Sequence, residues 1–338
     1  MRMPIAITGH GAVSPAGWGV AAMMQALLAG DKISPILLER LAGETPVRTP
    51  VLRVPADGAT APKVARLRRT SPISKFAAAA VTEALGTARL AKIAAGNLRV
   101  GVIFTLTNGC VNYSNRFYGE ALATPALASP ILFPETVFNA PSSHLSALIG
   151  STAPNDTLIA DSTGFFSGID LAVEWLERGD VDGCVVVSAE EIDWLSAEGL
   201  RHYSPRYLPS EGAAAIYLEP AAGPVKLLRL PDPISFSANS RVQAAHQIRA
   251  QLAASNDGQT LLVDGRAGIA RFDAPETLAW ADWVGPRWSP RRVLGEGMGV
   301  SAGLQIVSAV AALASGKFQQ AAVTATGGNQ QAAGILLG

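Results

Sequence analysis

Residues 157–179 read TLIADSTGFFSGIDLAVEWLERG: a short apolar strand, a turn of small residues, then an amphipathic helix. A side chain at such an elbow is pushed into a cleft at the positive end of the helix, beside backbone N–H groups that have no partner within the helix. That place suits a thiolate or an oxyanion, and here it holds Asp161. Phe165, Ile169, Ala172, Val173 and Leu176 recur at helical spacing, so one face packs inward and the helix starts near Ser162 or Thr163. Asp161 then lies at or beside the N-cap, where an Asp contributes about 1 kcal/mol. Two readings stand: a helix cap, or the occupant of a nucleophile's seat.

The elbow sits within a longer alternation of strands and helices. The pattern predicts strands at 4–9, 99–105, 157–160, 182–190 and 213–220, with helices over 20–28, 74–90 and 163–177. After a Pro/Gly-marked join at 221–224 a second round begins. It has strands at 224–230, 259–265, 321–328 and 332–338, and helices over 239–254, 275–283 and 301–315. Such alternation predicts an α/β fold with largely parallel, buried strands. The similar order in residues 1–222 and 223–338 points to two α/β halves and an internal duplication.

Composition narrows the function. In 338 residues, 49% hydrophobic content and 16% charge allow one large core or two fused halves. Zero net charge argues against nucleic acid or an anionic membrane as the main target, and the basic run Arg66–Arg69 reads as solvated surface. Cys110 and Cys184 stand far apart and the four histidines are scattered, so no metal site is expected. No uninterrupted apolar run reaches the roughly 18 residues needed to span a bilayer, and the Gly- and Pro-rich N-terminus does not read as a signal peptide. The expected location is the cytoplasm.

Several features have weaker readings. Gly9, Gly11 and Gly17 have the wrong spacing for a dinucleotide loop, and no cofactor is expected. Glu190, Glu191 and Asp193 read as surface turn carboxylates, with a cation site as the other reading. Glu211 and Glu296 sit in Gly-flanked turns and are expected to accept backbone N–H groups. Trp280, Trp283 and Trp288 are expected to pack a helix and loop.

The order of landmarks resembles one family. TGHGAVSPAGWG (8–19), RRTSPISKFAAAAVTEAL (68–85), RVGVIF (99–104), SPILFPETVFNAPSSHLSALIG (129–150), IADSTG (159–164), ERGDVDGCVVVSAEE (177–191) and PSEGAAAIYLEP (209–220) follow the β-ketoacyl synthases across the chain. The resemblance implies the thiolase-like fold, two similar α/β halves in a five-layered αβαβα sandwich. It also implies a dimer whose sheets run together across the interface.

That family's chemistry uses a cysteine nucleophile and two histidines. In this sequence the stretch matching the cysteine motif is Ala160-Asp161-Ser162-Thr163-Gly164, with Asp161 at the nucleophile. Anchoring the first histidine motif on Asp273 and Glu276 puts Gly265 at the histidine. The second falls in RRVLGEGMGVSAG (291–303), where Gly297 or a neighbour takes its place and Arg292 stands near the motif's lysine. The distal glycine-rich loop survives in part as Ala325-Thr326-Gly327-Gly328-Asn329-Gln330. A carboxylate is a poorer nucleophile toward a thioester than a thiolate, and a glycine cannot assist decarboxylation.

A ketosynthase-like chain without these groups resembles the chain-length factors, which pair with an active ketosynthase and shape the tunnel for the growing acyl chain. The implied partners are an active ketosynthase subunit, in a heterodimer, and an acyl chain bound to acyl carrier protein. The chain departs from those factors in having Asp161, where they commonly carry Gln, and in its shorter second half. The implied tunnel or interface segment is 105–122. Tyr113, Phe117 and Tyr118 could share a helical face there, with Cys110 and Val111 beside them. Ordinary interface packing is the other reading of these aromatics. An acyltransferase or hydrolase rebuilt around Asp161 and Ser162 is the alternative function, but none of the histidines falls on a catalytic motif to serve as its base.

Overall fold

The computed structural model describes residues 4–42, 45–56, 65–328 and 330–338. In the first half, β1 (Ile5–Ser14), β2 (Val100–Leu106), β3 (Asn155–Ile159), β4 (Gly183–Glu190) and β5 (Gly212–Pro220) pair in the order β3-β2-β4-β5-β1. In the second, β6 (Val225–Arg229), β7 (Thr260–Val263), β8 (Arg287–Trp288), β9 (Gln320–Thr326) and β10 (Gln331–Leu337) pair in the order β8-β7-β9-β10-β6. Each half therefore runs third, second, fourth, fifth, first. In both, the second strand is parallel to the third and fourth, the fifth is antiparallel to the fourth, and the first is antiparallel to the fifth. The sheets join where β1 meets β6, at Ala6 opposite Lys226 and Ile7 opposite Val225.

The helices are α1 (Val20–Ala29), α2 (Pro72–Ala94), α3 (Val111–Ala123), α4 (Ala140–Ile149), α5 (Gly164–Arg178), α6 (Trp194–Tyr203), α7 (Arg241–Leu252), α8 (Ala270–Ala279), α9 (Arg291–Leu294) and α10 (Gly299–Ala314). The two-residue period of a strand sorts its side chains between layers. Ile103, Val186, Ile216 and Val323 point toward α5 and α10 in one central core. Their neighbours Phe104, Val187 and Tyr217 pack with α2 and α4, while Leu262, Ala322 and Leu336 pack with α7 and α8. The layers are thus helix, sheet, helix, sheet, helix, and strands covered on both faces read as near-continuous apolar runs.

Several elements differ from the sequence reading, which expected no element at α3, α4, α6, α9 or β8. The strands are not largely parallel as expected, because β1, β5, β6 and β10 run antiparallel to their neighbours. β1 continues to Ser14 rather than ending at residue 9, shifting register between Ile7 and Gly9. Its glycines exist for close approach: a Cβ on Gly9 or Gly11 would lie 1.9 or 2.0 Å from the carbonyl oxygens of Ala84 and Ala80 in α2. α8 begins at Ala270, not 275. Pro275 suggests a helix start because proline favours the first turn, yet here it lies inside the helix. A β-hairpin, Ile36–Ala42 with Thr45–Val51, also forms in a region where no element was expected.

Candidate functional site

The elbow after β3 forms as the pattern predicts, but Asp161 is not the helix cap. Thr163 is the N-cap and α5 begins at Gly164. The Asp161 Oδ1 accepts the Thr163 N–H at 2.9 Å and its hydroxyl at 2.7 Å, closing the turn two residues before the helix. Oδ2 is buried without a hydrogen-bond partner and faces Gly327, where a Cβ would lie 1.9 Å away.

Gly265 follows β7 and places only backbone in the site. Its N–H donates to Glu276 Oε2 at 2.8 Å, and its carbonyl accepts Arg291 Nη1 at 2.7 Å. Glu276 is fully enclosed and also accepts the Thr326 N–H at 2.7 Å. Burial, aided by the charge of Asp264, pushes its carboxyl up to about 7. A Cβ at residue 265 would lie 2.9 Å from Glu276 Oε1 and 3.4 Å from Arg291 Nη1. Arg291 and Glu276 therefore occupy the space a larger side chain would need.

Gly297 is buried and donates its N–H to Ser301 Oγ at 3.0 Å. Arg292 is half exposed and reaches Asp273 at 3.7 Å. The side chains that enter the site from this stretch stand one position earlier: Arg291 forms an ion pair with Glu296. Glu296 also accepts the Met298 N–H at 2.9 Å and the Ser301 hydroxyl at 3.1 Å. The sequence reading of Glu296 as an acceptor of backbone N–H groups holds, and so does that of Glu211, which takes those of Val54 and Ile192. The Arg291–Glu296 pairing was not legible, because Arg291 and Arg292 look alike until a backbone orients them.

Arg241, at the start of α7, was also missed. Its Nε and Nη2 donate to the Gly327 carbonyl at 3.2 and 2.9 Å, and its guanidinium lies 5.6 Å from the Phe272 ring centre. It thereby holds the backbone at Thr326 and Gly327, two residues before Asn329, which lies outside the described residues. Phe272 stacks in turn on Tyr207 at 5.1 Å, and burial pushes the Tyr207 hydroxyl up.

The acidic cluster after β4 is neither surface nor a cation holder, correcting that expectation. Glu190 is buried, accepts the Thr107 and Asn108 N–H groups, and is pushed by burial up to about 8. Glu191 accepts Ile73 N–H and Asn112 N–H, both at 2.8 Å, so one carboxylate serves the first turns of α2 and α3. Asp193 caps α6 through the Ser196 N–H at 2.9 Å. Among the described residues, no group of three His, Cys, Asp or Glu side chains is placed to hold a metal ion.

The segment 105–122 contains α3, but its aromatics do not share one face. Tyr113 donates to the Arg69 carbonyl at 2.9 Å, and Phe117 packs on Phe133 with ring centres 5.5 Å apart. Tyr118 is 65% exposed because it lies five residues from Tyr113, well round the helix. Cys110 is buried at the N-cap of α3, where burial pushes its thiol up, and Val111 is half buried. Leu122, Leu127 and Ile131 stand exposed, as does Ile159 on β3, which among the described residues pairs with β2 alone at the end of its sheet. Trp280 and Trp283 form an edge-to-face pair at 5.3 Å, and Trp288 packs on Phe318, as expected.

Comparison with known proteins follows this geometry. The family model for the β-ketoacyl synthase N-terminal domain matches residues 2–222. No curated protein matches the chain. Among solved structures, the ishigamide ketosynthase/chain length factor is 20% identical with a TM-score of 0.80, covering 99% of both chains. A ketosynthase in complex with its chain length factor from Xenorhabdus doucetiae is 14% identical with a TM-score of 0.81, covering 99% of this chain and 98% of that one. A β-ketoacyl synthase from Burkholderia phymatum is 15% identical with a TM-score of 0.77, covering 99% of both. The chain belongs to the β-ketoacyl synthase family and has its thiolase-like fold.

Proposed function

We propose that the chain is a catalytically inactive, chain-length-factor-like subunit, with halves at 1–222 and 223–338. It pairs with an active β-ketoacyl-acyl carrier protein synthase in the cytoplasm and shapes its acyl tunnel in polyketide, polyene or fatty-acid-like synthesis. The observation that carries this reading is the rebuilt elbow. Asp161 stands at the nucleophile, its Oδ1 engaged by Thr163 and its Oδ2 against Gly327. Neither Gly265 nor Gly297 supplies an imidazole. The Arg291–Glu296 pair further fills the site with charges that satisfy one another.

The edge of the first sheet supports a partner. Among the described residues β3 pairs with no strand on its outer side, and a sheet edge is a template for another strand. Ile159 at its end and Leu122 on α3 are 59% and 84% exposed, so a related subunit's edge could extend the sheet and cover these side chains. That subunit supplies the nucleophile and receives the acyl chain from its carrier protein.

An acyltransferase or hydrolase rebuilt around Asp161 and Ser162 would need a base. His144 is committed to Glu135 at 2.7 Å, and His10 is half-buried near Glu83, its imidazole pushed down by burial. The deciding experiment is copurification with an intact ketosynthase, followed by assay of each chain alone and together. The expected result is a stable heterodimer, lost in Ile159→Lys, with condensation requiring the partner's cysteine. Acylation of the isolated chain, abolished by Asp161→Ala or Ser162→Ala, would overturn the reading.

A further inference from the structure

The segment from α3 to the start of α4 adds almost nothing to the core. Within residues 111–139 only Leu132 and Glu135 are buried, and α3 itself, 13 residues long, buries none. By contrast α10 buries every residue except Ala311 and Ala314. Helices in proteins are held mainly by the apolar face they pack inward, so α3 lacks the usual anchor.

Two other kinds of contact take its place. Inside the segment, Phe117 packs on Phe133 at 5.5 Å and Glu120 accepts the Ser129 N–H at 3.0 Å. The segment also closes on itself: a Cβ on Gly109, just before α3, would lie 2.8 Å from the Phe138 ring. A stretch whose ends meet and whose side chains pack on one another can move without pulling its flanks apart.

The ties to the body are polar. The Asn112 N–H donates to Glu191 at 2.8 Å, Asn115 Nδ2 to Asp193 Oδ2 at 2.9 Å and the Tyr113 hydroxyl to the Arg69 carbonyl at 2.9 Å. Glu135 pairs with His144 of α4 at 2.7 Å. Water replaces most of a hydrogen bond's energy, so breaking these ties costs much less than exposing a core helix.

We infer that residues 111–139 form a flap that lifts from the isolated chain as one unit while the sheets and central helices stay folded. Its hinge lies beside the elbow. Gly109 is two residues from Thr107, whose hydroxyl donates to the carbonyl of Ala160 at 2.7 Å. Lifting takes the Phe138 ring off Gly109 and uncovers that flank of the elbow, next to Asp161. The flap follows from packing within this chain, whether or not the chain is catalytic and whatever pairs with β3.

The test is hydrogen–deuterium exchange of the purified full chain, read on peptides by mass spectrometry as urea is raised below the unfolding range. The amides of α3 should share one opening equilibrium and exchange at least about a hundredfold faster than those of α5 and α10, which open only with the whole chain. Asn115→Ala/Tyr113→Phe, which removes two of the ties, should speed exchange in α3 about twenty-fivefold, at about fivefold per hydrogen bond. Exchange in α5 and α10 should not change, and their retained protection shows that the variant is folded; Tyr113→Phe alone serves if the double variant is not. Exchange of α3 at the rate of α10, absence of any protection in α3, or unchanged α3 exchange in the folded variant would overturn the inference.

Discussion

The Oδ2 atom of Asp161 lies where a side chain on Gly327 would have to begin, 1.9 Å from an ideal Cβ at that position. The elbow and the loop after β9 are therefore matched to each other, a carboxylate on one side and a bare Cα on the other. Arg241 holds the second partner in place through the Gly327 carbonyl.

Gly327→Ala should destabilise the chain by about 1–3 kcal/mol, because the added methyl overfills a packed contact. Combining it with Asp161→Gly should recover part of that loss, so the two effects are not additive. Denaturant unfolding of the two single variants and the double one measures the coupling. Additive losses would mean that the contact carries no energy.

Asp161→Cys should restore a thiol without restoring condensation, because Gly265 still provides no imidazole and Arg291 still crosses the adjacent space. Labelling at residue 161 can be read cleanly, since Cys110 and Cys184 are buried. Turnover of a malonyl thioester by the isolated variant above background would contradict the proposed inactive role.

Glu190 gives a pH dependence of definite sign. Its carboxyl is raised from 4.5 to about 8 by burial, so between those values the folded chain holds a proton that the unfolded chain has lost. Its contribution to stability is complete below 4.5 and is lost as the pH rises toward about 8. Glu276, raised to about 7, acts in the same direction. Glu190→Gln cannot ionise, so its unfolding free energy should fall less steeply over this range than that of the unsubstituted chain. Parallel curves would show that Glu190 does not titrate in the window.

Phe117→Ala removes the ring that packs on Phe133 at 5.5 Å. In a reconstituted pair with a ketosynthase, it should shift the products toward longer acyl chains. Unchanged product length with normal heterodimer formation would assign Phe117 to packing alone.

Much of the fold was legible because its signals are local. Apolar runs bounded by Gly and Pro located the strands, and the spacing of Phe165, Ile169 and Leu176 located α5 within a residue or two. The start of α8 was placed at 275 rather than Ala270, a boundary that a local pattern does not fix. Glu191 read as surface because its partners, Ser71, Ile73 and Asn112, lie about 80 to 120 positions away in the chain. That an Asp stands in the elbow at 161 was visible directly, whereas the Arg291–Glu296 pair beside Gly265 was not.

By itself the sequence determined the α/β class, the two rounds of strands, the elbow and the residue standing in it, since each depends on neighbours a few positions apart. Tertiary structure alone decided that the two sheets repeat one strand order, that Arg291 rather than Arg292 enters the site, and that the carboxylates after β4 hold α3. These depend on contacts between distant segments, whose orientation is set when the central helices α5 and α10 are packed between the sheets.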